Sequence, residues 1–323
     1  MRILFWGTPD FAVPSLGALD DEGHEVVGVV TRPDRPAGRG RRLTPSPLRQ
    51  AAEGMGVPVL TPERPRGDEF IAAIRALAPD LSVVVAYGHI LRRDVLDVPP
   101  LGSINVHASL LPELRGAAPI TWAIARGHDV TGVTIMRMVE AMDAGPVLLR
   151  VAEPILPDQT GSELAVRLSE LGAEALVEAL ILLAAGEIRE EEQDHERATF
   201  APKVDREAAR VPWHLPAPEV ARHIRGMDAV PGAWSELDGA PVKLFRPRVV
   251  EPQALEGRGV GGGGGGSGPL AGSVLFADPE RGVVVAAGEG AVAIGEAQPP
   301  GRRRMGVHDW LRGRGVRAGG LFA

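Results

Sequence analysis

Apolar residues change their spacing along this chain, and the changes mark out its organisation. Ile3–Trp6 is a short apolar run stopped by Gly7-Thr-Pro, an amphipathic segment follows through Leu19, and Glu25–Val30 is apolar again. Strand, helix, strand in that order opens a parallel sheet. Phe70–Leu77 reads as a helix, and Leu81-Ser-Val-Val-Val-Ala86 is almost continuously apolar, as a strand is when helices cover both faces of its sheet. The pattern persists to Asn105 and predicts an α/β domain with a Rossmann-like, doubly wound, mostly parallel sheet. Thr160-Gly-Ser-Glu163 has the capping-box form, and the apolar-rich stretch Leu164–Ala185 after it reads as one long helix ended at Gly186. Glu187–Arg197 is strongly charged and reads as an exposed linker. From Ala209 the chain turns to short alternating segments, Val242-Lys-Leu-Phe-Arg, Gly272-Ser-Val-Leu-Phe and Gly282-Val-Val-Val-Ala-Ala, which predict a smaller β-barrel domain. The boundaries that follow are 1–188 for the α/β domain, 189–208 for the linker and 209–323 for the barrel. Within the last, the uninterrupted glycine tract Gly261–Gly266 reads as a flexible surface loop and is assigned no function.

Polar residues interrupt this pattern at one informative place. Asn105, His107 and Ser109 occupy alternate positions, so in an extended strand an amide, an imidazole and a hydroxyl share one face while Ile104, Val106, Ala108 and Leu110 take the other. They form a candidate reaction centre, although alternation by itself is also the ordinary mark of a solvated strand face. Asp143 precedes an Ala-Gly-Pro turn; a carboxylate that reaches an imidazole fixes its tautomer and raises its basicity, but from spacing alone an aspartate here is more often a plain turn residue. In doubly wound sheets ligands bind beyond the carboxyl ends of the strands. Gly7, Tyr87-Gly88 and Ser109-Leu-Leu-Pro112 all fall there, so three loops are expected to converge on one cleft.

Composition narrows the chemistry. The 323 residues, 44% hydrophobic and 24% charged, suit a soluble protein of two domains. Cysteine is absent, which excludes disulfides, thiolate catalysis and cysteine-ligated zinc. No HExxH pattern suggests a metal, and neither GxGxxG nor GxxxxGK[ST] follows the first strand, so no nucleotide cradle is expected. Apolar runs fall short of the roughly 20 residues of a membrane span, and the opening Met1-Arg-Ile-Leu-Phe reads as a strand rather than a leader, which fits a cytoplasmic protein. A net charge of -7 argues against indiscriminate binding of nucleic acid. Locally the balance reverses: Arg32, Arg35, Arg39, Arg41, Arg42 and Arg49 face the single acid Asp34 in a stretch rich in glycine and proline. A run of this kind is more often a solvated loop than a binding patch.

Taken together, Asn105-Val-His107-Ala-Ser-Leu-Leu-Pro112, Arg115-Gly-Ala-Ala-Pro-Ile and Asp143 resemble the active-site core of the folate-dependent formyltransferases. Ile3-Leu-Phe-Trp-Gly-Thr-Pro-Asp-Phe11 and Thr31–Leu43 resemble more narrowly the branch of that family whose acceptor is the methionine carried by initiator tRNA. The resemblance implies transfer of a formyl group from 10-formyltetrahydrofolate to the α-amino group of that methionine, with Asn105 and His107 as donors and Asp143 holding His107 and helping to move the proton. It carries folate over to Ser109, Leu110, Leu111 and Pro112, and more loosely to the main chain around Tyr87, Gly88, Ile90 and Leu91 and of Val139–Met142. It gives Gly7, Thr8, Pro9, Asp10 and Phe11 to the cleft that takes the methionyl end, and Arg39, Arg41 and Arg42 to a loop that grips the tRNA. The C-terminal barrel is then OB-like and binds tRNA; folate and initiator methionyl-tRNA are the partners, with no metal, membrane or obligatory protein partner. Two departures stand out. His89 and Arg92 replace apolar and proline residues of the family pattern beside the folate loop, His89 reading as a rim residue, and Arg225–Trp234 keeps the Pro-Gly-Ala-Trp ending without the aromatic before it. Relatives that formylate small amines, glycinamide ribonucleotide or amino sugars, share the Asn, His and Asp but need neither the arginine loop nor the barrel. An RNA-binding module with a dead catalytic domain would not need the intact Asn105, His107 and Asp143, and a folate hydrolase would carry a regulatory domain ahead of the core.

Overall fold

The computed structural model describes residues 1–37, 42–251, 269–313 and 315–323, with main chain alone at positions 37 and 42. In chain order the first elements are β1 (Arg2–Gly7), α1 (Val13–Asp21), β2 (Glu25–Val30), β3 (Arg35–Ala37), β4 (Arg42–Thr44), α2 (Pro47–Gly54) and β5 (Val59–Leu60). There follow α3 (Asp68–Ala76), β6 (Leu81–Val85), α4 (Arg93–Leu96), β7 (Ser103–His107), α5 (Pro119–Ala125), β8 (Val130–Arg137), β9 (Val147–Pro154) and α6 (Gly161–Ala185). The remainder comprises α7 (Ala217–Gly226), β10 (Trp234–Leu237), β11 (Ala240–Val250), β12 (Val274–Asp278), β13 (Gly282–Ala286), β14 (Ala291–Gln298), β15 (Met305–Gly306) and α8 (Val307–Arg312). The chain divides into two compact units. One is Met1–Pro119, Val130–Pro154 and Ala165–Pro202; the other is Ile120–Asp129, Ile155–Leu164 and Lys203–Ala323.

In the first unit a seven-stranded sheet runs β5-β2-β1-β6-β7-β8-β9, parallel as far as β7 and antiparallel across β8 and β9. Gly7 pairs with Val85 and Val84 with Asn105, so the carboxyl ends of β1, β6 and β7 lie side by side. Burial explains the continuous apolar runs: from Ile3 to Gly7 and from Leu81 to Val85 every residue is buried. The one polar residue in β6, Ser82, is tolerated because its hydroxyl accepts from Trp6 Nε1 at 3.1 Å. A Cβ on Gly7 would stand 2.7 Å from the Val85 carbonyl oxygen and 2.8 Å from the Ala12 Cβ, so only glycine lets the chain turn there against its neighbour strand. The capping box of α6 is made as the spacing predicts: Glu163 N donates to Thr160 Oγ1 (3.3 Å), and Thr160 N donates to Glu163 Oε2 (2.9 Å).

The stretch expected to be an exposed linker, 189–208, is tied down at three points. Glu191 bridges to Val147, Phe200 bridges to Arg115, and Gln193 is 4% exposed. Charge in a sequence reports where side chains point; here the acids face out while the main chain pairs inward.

The second unit is an antiparallel sheet in the order β10-β11-β14-β13-β12, with β15 on β14. The last residues of the chain close it. Phe322 bridges to Leu237 at the end of β10, Leu321 bridges to Ser273 just before β12, and Ala323 exchanges hydrogen bonds with Glu236. The edge strands are thereby joined through the C-terminus, which gives the OB-like barrel. Its core holds Trp213, Val220, Ile224, Leu244, Val285, Val292, Trp310 and Phe322. Trp213 lies 5.8 Å from the Phe322 ring and donates its Nε1–H to Ser235. The Gly261–Gly266 tract lies outside the described residues.

Candidate active site

The candidate site lies in the first unit, past the adjacent ends of β1, β6 and β7. His107 is the last residue of β7 and is 5% exposed; Asn105, two positions earlier and about 7 Å along the strand, shares its face. Asp143 arrives from the connection between β8 and β9. Its Oδ2 stands 3.8 Å from His107 Nδ1 and accepts from the Gly116 N–H at 2.7 Å. His107 Nε2 lies 3.1 Å from the Leu114 carbonyl oxygen, and since a carbonyl only accepts, the ring donates there. Gly116 has φ +122°, and a Cβ on it would stand 2.6 Å from the Ala201 carbonyl oxygen, so no other residue brings that N–H to the carboxylate unchanged. Asn105 is 9% exposed, and a side-chain amide on the same strand face as the imidazole can donate to a substrate oxygen.

Next to Asp143 sits a buried cation. Arg115 is 6% exposed; burial pushes its guanidinium down from its ordinary value and the Asp143 charge pushes the other way. Gln193 joins the two, and neither it nor the Leu114 carbonyl is foreshadowed by the sequence pattern. Nothing local distinguishes Gln193, which stands inside the acidic run Glu190–Asp194, and a main-chain oxygen leaves no mark on sequence at all.

Ser109 corrects the simplest reading of the strand. It lies past the end of β7, is fully buried, and its hydroxyl donates to the Glu113 carbonyl at 2.6 Å. The chain leaves the sheet after His107, so the i+4 position no longer shares the face of Asn105 and His107. Leu111 is likewise core, packed with Met136 and Val147, its N–H donating to Thr134 Oγ1. Leu110 and Pro112 are half-buried and border a cavity of ≈ 320 Å³ that Arg150 and Arg197 also line.

Tyr87 and Leu91 are 2% and 3% exposed and belong to the core beside Trp6. Burial pushes the Tyr87 hydroxyl up to about 12. Their side chains are therefore spent on packing, which leaves main chain as what this loop offers. The Gly88 carbonyl accepts from the Arg32 guanidinium, and Ile90 is 77% exposed. His89 is half-buried against the Tyr87 ring, and burial together with Arg32 and Arg35 pushes it below its ordinary value. Arg92 is exposed. After β1, Gly7 is buried, the Thr8 hydroxyl donates to the Tyr87 carbonyl at 3.4 Å, Pro9 and Asp10 are exposed, and Phe11 is half-buried. Arg39 and Arg41 lie outside the described residues; the main chain of Arg42 pairs with Ala37 in the β3–β4 hairpin. Arg49 is not available to a partner, being paired with Asp34 at 3.1 Å and Glu53 at 2.7 Å. Among the described residues no group of three or more His, Cys, Asp or Glu could hold a metal ion, and no helix is long and apolar enough to cross a membrane.

The chain is similar to known proteins along most of its length. A family model described as formyl transferase matches residues 1–180, and one described as formyl transferase, C-terminal domain, matches residues 203–315. A methionyl-tRNA formyltransferase of Halorhodospira halophila is 48% identical over 313 residues, 97% of this chain and 96% of that protein. The methionyl-tRNA formyltransferase of Desulfotalea psychrophila is 45% identical over 318 residues, 98% of this chain and 94% of its own length. Among solved structures, HypX of Aquifex aeolicus in complex with tetrahydrofolic acid superposes with a TM-score of 0.66 at 21% identity, covering 96% of this chain and 47% of HypX, a likeness of fold.

Proposed function

The chain belongs to the formyltransferase family, and from that premise we propose that it moves the formyl group of 10-formyltetrahydrofolate onto the α-amino group of methionyl initiator tRNA. What carries the reading is the meeting of His107 and Asp143, 3.8 Å apart, at the carboxyl edge of the sheet, with Asn105 on the same strand face as His107. The tRNA acceptor is supported by relatives of that name that align through the C-terminal unit as well as the first. In this division of labour the first unit, Gln193 included, carries the transfer, and residues 209–323 with Arg39, Arg41 and Arg42 hold the tRNA. The protein acts in the cytoplasm with its charged tRNA and needs no metal.

When bound, 10-formyltetrahydrofolate supplies the formyl carbon: the amine nitrogen bonds to it, its bond to folate N10 breaks, and N10 takes up one proton in place of the one the amine gives up. The residues of this chain then have distinct tasks. Asn105 donates its side-chain N–H to the formyl oxygen, where negative charge grows as the amine attacks. His107, held at Nε2 by the Leu114 carbonyl, turns Nδ1 toward the reacting groups. Asp143, fixed by Gly116 N–H, receives the amine proton or holds His107 while it does so. Main chain at Tyr87, Gly88, Ile90 and Leu91, and at Ser109–Pro112 and Val139–Met142, meets the pterin edge, and Gly7–Phe11 borders the methionyl group.

The test supplies purified protein with 10-formyltetrahydrofolate and, in parallel, methionyl initiator tRNA, free methionine, glycinamide ribonucleotide and an amino-sugar nucleotide. Formylmethionine released from tRNA as the dominant product supports the reading. Preferred formylation of a small amine overturns it.

A further inference from the structure

Gln193 has no part in the chemistry above, yet its side chain is the most fully engaged polar group near it. Nε2 donates to the main-chain oxygens of Asp143 (2.9 Å) and Gly145 (2.7 Å), and Oε1 accepts from Nε (3.1 Å) and Nη2 (2.6 Å) of Arg115. An amide has two donor hydrogens and two acceptor lone pairs, and all four are used. Its orientation is fixed by its partners: carbonyls only accept and a guanidinium only donates, so a flipped amide would lose every bond.

The two ends of this arrangement meet on one residue. Arg115 is followed by Gly116, whose N–H anchors the Asp143 carboxylate at 2.7 Å. Through Gln193, Arg115 also anchors the Asp143 main-chain oxygen, and Arg115 Nη2 is braced in turn by His195 Nδ1 at 2.9 Å. Both the side chain and the main chain of Asp143 are thus referenced to residues 115 and 116. The φ of Asp143, +51°, lies in the sparsely populated left-handed region, and the clamp helps to hold that conformation. We infer that Gln193 is a positioning residue for formyl transfer, clamping the Asp143 loop to Arg115 so that the carboxylate is held at its working distance from His107. The inference rests on the reading of Asp143 as part of the transfer site.

The experiment measures kcat and KM for both substrates in wild type, Gln193→Met, Gln193→Glu and Asp143→Ala, and in Asp143→Ala combined with Gln193→Met. Methionine keeps the length and makes none of the four bonds. Glutamate keeps a partner for Arg115 but turns an oxygen on the Asp143 and Gly145 carbonyls. Misplacement of a reacting group by about 1 Å costs on the order of 100-fold, so both single variants at Gln193 should lose about 10- to 100-fold in kcat with KM unchanged. In the Asp143→Ala background Gln193→Met should then cost nothing further, since the group it positions is gone. Equal losses in both backgrounds, full activity of Gln193→Met, or full activity of Gln193→Glu would each overturn the inference, the last because it would reduce Gln193 to a counterpart for the Arg115 charge. If Gln193→Met does not fold, Gln193→Glu decides between the same outcomes. A wild-type protein that transfers no formyl group overturns the functional reading and this inference with it, whereas an active wild type with an indifferent Gln193 overturns the inference alone.

Discussion

Asp143 Oδ2 lies 3.8 Å from His107 Nδ1 and only 2.7 Å from the Gly116 N–H, so the carboxylate is bound to main chain and merely faces the imidazole. A separation of 3.8 Å is beyond hydrogen-bonding range. The pair is built to be coupled through a shared proton or a reacting group rather than locked together. His107→Ala should therefore lower kcat by about 10²- to 10⁴-fold, the range typical of proton-transfer groups, with both substrate KM values close to wild type and the unfolding midpoint somewhat lower because the Leu114 carbonyl loses its buried donor. Steady-state kinetics and thermal unfolding of the purified variant check this.

The capping box of α6 gives a pH-dependent stability. Glu163 is held below its ordinary carboxyl value first by the Thr160 main-chain N–H, with Arg246 adding to it. Because the folded value is the depressed one, the stabilisation is present above the free glutamate value of 4.5 and is lost as pH falls through the folded value. Glu163→Gln keeps the shape and removes the charge. It should be less stable than wild type at neutral pH by no more than about 1 kcal/mol, given the exposure of the pair, and the gap should narrow at a pH below 4.5. Urea midpoints at the two pH values test this; a gap that does not narrow in acid would assign the loss to packing.

Closure of the C-terminal barrel depends on a residue next to the chain end. Phe322 is 1% exposed, lies against Trp213, and its segment joins β10 to the start of β12. Phe322→Ala should cost about 3–5 kcal/mol, read as a lower denaturation midpoint. Transition of the second unit at an unchanged midpoint would show that the bridge is dispensable.

The arginine loop makes a prediction that rests on sequence alone, since Arg39 and Arg41 lie outside the described residues. If Arg39, Arg41 and Arg42 neutralise tRNA phosphates, the triple alanine variant should bind tRNA more weakly, with the slope of log affinity against log salt flattened by about one unit for each phosphate that is no longer neutralised. Folate affinity should be unchanged. Filter binding across salt concentrations, with folate titration at one, separates a clamp from a solvated loop.

How much of the fold and site is legible in the sequence follows from what each feature writes there. Parallel strands covered on both faces write continuous apolar runs, so Ile3–Trp6 and Leu81–Val85 declare the doubly wound sheet, and the Thr160/Glu163 box declares its helix start. Interactions between distant loops write nothing local. The approach of Asp143 to His107 is signalled only by family resemblance, and the Gln193 clamp hides in an acidic run whose charges suggest solvent. Ser109 departs from the strand pattern because alternation assumes an extended chain, and β7 ends at His107. Barrel closure leaves no signal because it is made by single bridges from Leu321 and Phe322 rather than by a strand with a pattern of its own.

The most direct measurement is single-turnover formyl transfer by enzyme in excess over methionyl initiator tRNA, with saturating 10-formyltetrahydrofolate, for wild type and Asp143→Asn. Asparagine preserves the shape of the side chain and its acceptor oxygen for Gly116 N–H but removes the charge beside His107. The account predicts that wild type converts the bound tRNA to its formylated form in one turnover, and that Asp143→Asn binds tRNA and folate with wild-type affinity yet transfers at least about 100-fold more slowly. Transfer by Asp143→Asn at the wild-type rate, or no transfer by wild type with both substrates bound, would contradict it.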